Sequence, residues 1–131
     1  MATLQAVTAS SSARVTDPAT VEQLCEQYHF GHLTWDLTND DEVAVWGYEA
    51  FCVYERRDNG EMDLDAGLVT HEFLHTLAEY INEGEALDIQ TAGFTNCRFP
   101  VLARRYVVRH DEVLGADLTG LEPISDEQPA P

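Results

Sequence analysis

Two histidines four residues apart, with a glutamate beside the first, make the stretch richest in chemistry: His71-Glu72-Phe73-Leu74-His75. In a helix, residues at i and i+4 stack on one face, so both imidazoles can grip one zinc ion. Glu72 then lies beside the metal-bound water as general base. Leu68, Val69 and Thr70 before the stretch, and Thr76 and Leu77 after it, carry no charge. A third ligand has no diagnostic position. The candidates are Glu79, one helical turn beyond His75, and Asp111 and Glu112 after the last expected strand. The same residues also have a reading without metal. His71, Glu72, His75, Glu79, Asn82 and Glu83 fall opposite an apolar stripe of Phe73, Leu74, Leu77, Tyr80 and Ile81, as the wet face of an amphipathic helix does.

The second group with chemistry is cationic. All seven basic side chains are arginine, and four of them, Arg98, Arg104, Arg105 and Arg109, fall near or on one expected strand. Alternation puts Arg105, Val107 and Arg109 on one face of that strand and Arg104, Tyr106, Val108 and His110 on the other. Arginines so placed either pair with carboxylates and pin the sheet, or contact a phosphate, a nucleic acid or an acidic partner. Arg104, Arg105, Tyr106 and Arg109 are therefore the candidate binding residues.

Over about ten of the 131 residues, the histidine stretch resembles the active-site helix of zincin-type metallopeptidases. The resemblance implies His71 and His75 as zinc ligands and Glu72 as base. The glycine and third histidine of the metzincin extension are replaced by Glu79, Asn82 and Glu83. Composition carries a second resemblance. Against seven arginines stand 24 acidic residues, a formal charge of −17. Such a chain repels itself in dilute buffer, and molar salt, with a screening length of roughly 3 Å, removes most of that cost. The balance is similar to that of proteins from salt-in haloarchaea, their plasmids and their viruses.

The elements that must position these residues follow from local pattern. Residues 1–15, small and polar, read as a disordered arm, and 119–131, with Pro123, Pro129 and Pro131 among acids, as a disordered tail. A single domain spans 16–118. Thr16-Asp17-Pro18 opens a helix reaching about Tyr28. His32–Thr38 alternates as a strand. Glu42–Arg57 reads as a long strand with a bend at Gly47, and Asp58-Asn59-Gly60 as a tight turn. Met62–Leu64 is a short return strand. Asp65 caps a helix running to about Asn82, and strands follow at Leu87–Phe94 and Val101–His110. The order α-β-β-α-β-β implies an α+β fold, an antiparallel sheet of four or five strands with two main helices on one face.

Cys25, Cys52 and Cys97 are far apart and form no C-x-x-C pair, as expected of reduced thiols in a cytoplasmic protein. The N-terminus has no signal-peptide pattern, and no apolar run is long enough to span a membrane. No P-loop, dinucleotide fingerprint or G-x-S-x-G is present. The global charge opposes nucleic-acid binding. The expectation is a small halophilic, non-catalytic binding or assembly module without a cofactor. It meets a protein partner or a second copy at an exposed aromatic and arginine sheet surface or at a dimer edge. The alternatives are a minimal zinc metallopeptidase using His71, Glu72 and His75, and an acidic inhibitor that imitates nucleic acid.

Overall fold

The computed structural model describes residues 5–38, 41–94 and 100–117. Its elements are β1 (Gln5–Ser10), β2 (Ala13–Arg14), α1 (Pro18–Glu26), β3 (Tyr28–His29), β4 (Thr34–Thr38), β5 (Glu42–Gly47), β6 (Tyr54–Arg56), β7 (Met62–Leu68), α2 (Thr70–Ala78), β8 (Ala86–Phe94), β9 (Pro100–Arg109) and β10 (Glu112–Asp117). Among the described residues the fold is mostly β: a seven-stranded sheet, a three-stranded sheet and two helices. This corrects the expected α+β fold of four or five strands in the order α-β-β-α-β-β.

The largest departure lies in the stretch expected to be a loose arm, because β1 sits inside the large sheet. It pairs antiparallel with β8 along its whole length and with β5 at Thr8 and Ala9. Its one buried residue is Thr8, not an aliphatic, so no apolar alternation announced it. That hydroxyl is buried but satisfied: it donates to the Glu49 carbonyl at 2.6 Å and lies 2.8 Å from the Thr91 hydroxyl. β2 continues along the same side of β5, and β4 pairs with its other side. The expected long strand Glu42–Arg57 is two strands in different sheets, β5 and β6. The chain leaves β5 at Gly47, where an added Cβ would approach the Leu33 Cα to 3.1 Å.

The small sheet is β3-β6-β7. Asp58-Asn59-Gly60 forms its tight turn, with the Gly60 N–H donating to the Arg57 carbonyl at 2.8 Å. β7 extends to Leu68 with an irregularity opposite Tyr54 and Glu55, so Asp65 is a strand residue and caps nothing. The helix starts five residues later, at Thr70. α1 begins as its sequence dictates, with Pro18 in the first turn and Asp17 accepting from the Thr20 N–H. The Thr20 side chain, hydrogen-bonded to Asp17, holds that carboxyl below its ordinary range.

Both helices and the small sheet lie on one face of the large sheet, and the core fills the space between. Phe73 and Leu74, the two variable positions of the histidine stretch, are wholly buried there. Phe73 meets Phe30 edge-on at 4.9 Å and Tyr28 at 5.3 Å, and Trp35 at 5.6 Å. Edge-to-face pairs of this kind add to the burial energy of each ring. The spacing of the motif is thus also a core requirement: Phe73, Leu74 and Leu77 look inward, while His71, Glu72 and His75 stay exposed.

Candidate functional site

The wet face of α2 borders an open groove of about 790 Å³. His71, Glu72 and His75 line one wall, and Arg104 and Tyr106 of β9 with Val113, Gly115 and Ala116 of β10 line the other side. Leu68, Val69 and Thr70 close the end where β7 turns into the helix.

Strand alternation explains why these side chains meet. Arg104, Tyr106 and Val108 lie on the face of β9 toward α2, opposite Thr91, Ile89 and Leu87 of β8. Gly115 pairs with Tyr106 across the β9–β10 ladder. A Cβ at Gly115 would sit 3.4 Å from two carbons of the Tyr106 ring, so the missing side chain lets the ring lie across the hairpin. From there Tyr106 meets His71 edge-on at 6.1 Å and Phe51 at 6.0 Å. β10 is the outermost strand of the large sheet among the described residues, so the groove runs beside a sheet edge.

The expected third zinc ligands do not join the histidines. Glu79 follows the last residue of α2, eight residues and about 12 Å along the axis from His71. Asp111 lies at the same end, where its N–H donates to the Ala78 carbonyl at 3.0 Å. Its carboxylate is 3.1 Å from His110 Nε2, and Glu112 pairs with Arg109 at 3.7 Å. Among the described residues no three His, Cys, Asp or Glu side chains come together closely enough to hold a metal ion.

The candidate binding residues are divided between two faces. Arg104 and Tyr106 enter the groove, whereas Arg105 and Arg109 point away from it, as alternation requires. Arg105 makes a bidentate pair with Asp88, at 2.9 and 2.7 Å. That guanidinium holds the Asp88 carboxyl below its ordinary range, and Asp88 in turn raises Arg105. Arg98 and Cys97 lie outside the described residues. Cys25 and Cys52 are free thiols.

Sequence reasoning missed the β10 half of the groove. Its signal was Val113-Leu114 after a short break at His110-Asp111, and the break lacks the glycine that usually marks a two-residue hairpin. Asp111 itself takes the positive φ, 56°.

Compared with known proteins, the chain matches no family model, no curated protein and no solved structure. Among the described residues no helix is long and apolar enough to cross a membrane.

Proposed function

We propose that this chain is a non-catalytic binding module that receives an extended segment of a protein partner in the groove between α2 and the β9–β10 hairpin. The observation that carries this reading is the position of the groove beside an edge strand. An edge offers unpaired main-chain N–H and C=O groups to an added strand. Tyr106, Val113 and Leu68 supply apolar contact, and His71, Glu72 and Arg104 supply polar contacts at the rim. Its setting is a salt-rich cytoplasm, a reading supported by the charge of −17 and by the free thiols of Cys25 and Cys52.

The test uses the full chain in concentrated salt as bait for a phage-displayed library of random linear peptides. Enriched peptides should shift the amide resonances of residues 112–117 and the ring signals of His71 and Tyr106. Gly115→Val, which keeps a strand-compatible residue but fills the groove floor, should abolish binding while leaving the circular dichroism unchanged. A library that yields no binder, or binders whose shifts map elsewhere, overturns the reading.

The zinc peptidase is the second reading, favoured by one observation: His71, Glu72 and His75 all line the same groove. A zinc held by the two imidazoles would have two protein ligands, where catalytic zinc sites ordinarily have three. Elemental analysis after zinc loading and dialysis decides it. One zinc per chain, lost in His71→Ala, with peptide hydrolysis abolished but metal retained in Glu72→Gln, would replace the binding module with the enzyme.

A further inference from the structure

The other face of the large sheet is uncovered among the described residues. Both helices and the small sheet pack on the groove side, leaving Trp46 of β5, Val7 of β1 and Leu114 of β10 on the open side, at 52%, 41% and 44% exposure. The ladders place these residues within one surface. Trp46 is opposite Ala9, Ala9 opposite Gln90, and Gln90 opposite Arg105, while Val7 is opposite Ala92. A shallow depression of about 620 Å³ lies among Val7, Ala9, Ala92, Ala103 and Ala116, beside the projecting indole of Trp46.

Charge says what can cover this face. The protein carries −17 overall, so most approaches of one copy to another are repulsive. Here the ionic groups cancel in place: Arg105 pairs with Asp88, Arg109 with Glu112 and Arg14 with Glu42. That leaves Asp36 of β4 as the unbalanced charge among the described outward residues of the sheet. Three of the seven arginines are thus spent on making one face nearly neutral. A sheet face that combines exposed apolar side chains with locally cancelled charge is suited to an interface.

We infer that this face is an interface between two copies of the chain, packed sheet to sheet about a two-fold axis. In such an interface the same patch serves both partners, so Trp46 of each copy enters the depression of the other. β10, β9, β8, β1, β5 and β4 lie side by side. At about 4.8 Å per strand and about 3.3 Å per residue, the face projects on the order of 500 Å². Two such faces bury about 1,000 Å² in total, the lower bound for a specific interface. Two facing sheets give the aligned double layer common among β proteins. The inference does not depend on the groove reading: the groove and the depression share only Arg104 and Ala116 at the β9–β10 edge, and neither Trp46 nor Leu114 lines the groove.

Sedimentation of the full chain in concentrated salt tests it. Wild type should sediment as a dimer, with tryptophan emission shifting to the blue as concentration rises, a shift absent in Trp46→Phe, which retains Trp35. Trp46→Glu should weaken the dimer on the order of 30-fold or more, as loss of a central aromatic anchor does. Leu114→Glu should also weaken it, and Leu64→Glu, at an exposed side chain of β7 in the small sheet, should leave it intact. Circular dichroism should show all three glutamate variants folded. A wild type that is monomeric at every accessible concentration overturns the inference. So does a dimer that survives both Trp46→Glu and Leu114→Glu, since its interface would then lie elsewhere.

Discussion

A relay of two hydroxyls joins the centre of the large sheet to the loop that leaves it. The Phe51 N–H donates to the Thr91 hydroxyl at 3.3 Å, which bonds Thr8 at 2.8 Å, and Thr8 donates to the Glu49 carbonyl. Each oxygen accepts one bond and donates one. Thr91→Val should therefore cost about 1–3 kcal/mol, the penalty for stranding a buried amide. Urea unfolding should show the double variant Thr8→Val/Thr91→Val losing less than the sum of the two single variants. The Asp88–Arg105 pair makes a different prediction, in pH. Because the hydrogen bond from Arg105 lowers the folded-state pKa of Asp88, its stabilisation is present above the ordinary carboxylate range. It disappears as pH falls through the lowered value. Wild type and Asp88→Asn should differ in thermal midpoint at neutral pH and converge in strong acid. A constant difference across that range would show that the ion pair is not its source.

At the scale of elements, the sequence was legible where local chemistry decides. α1 carries its cap and proline, β8 and β9 follow their apolar alternation, and the Asn59-Gly60 turn joins β6 to β7. It was illegible where partners in space decide. β1 is small and polar, and its inward Thr8 needs Thr91, 83 residues away. The start of α2 was misplaced because Asp63, not Asp65, uses its carboxylate locally, accepting from the Asp65 and Ala66 N–H groups. Thr70 turns its hydroxyl to the Val53 N–H, so Val69 precedes the helix without a side-chain cap. Half of the groove was visible in the histidine stretch and in Arg104 and Tyr106. The other half depended on the hairpin turn at Asp111. That turn predicts its own mutational pattern: Asp111→Val should cost about 1–2 kcal/mol, since a branched residue resists the left-handed region. Asp111→Gly should be tolerated in the same unfolding assay.

For the molecule as a whole, acidic excess predicts a strong dependence on salt. Raising potassium chloride from millimolar to molar should raise the thermal midpoint continuously as repulsion is screened. A chain that melts cooperatively at one temperature across that range would contradict the halophilic reading. The core also contains its own reporter of opening. Cys25 lies in α1 against the core, and burial, with Glu26 and Glu22 nearby, pushes its thiol up to about 12. A free cysteine in an unfolded chain ionises near pH 8.5, so mild alkali favours the open state, and only there is the sulfur a ready nucleophile. Iodoacetamide labelling at that pH, read at Cys25 by peptide mass mapping apart from Cys52 and Cys97, would consequently report the fraction of molecules with α1 detached, without any engineered probe.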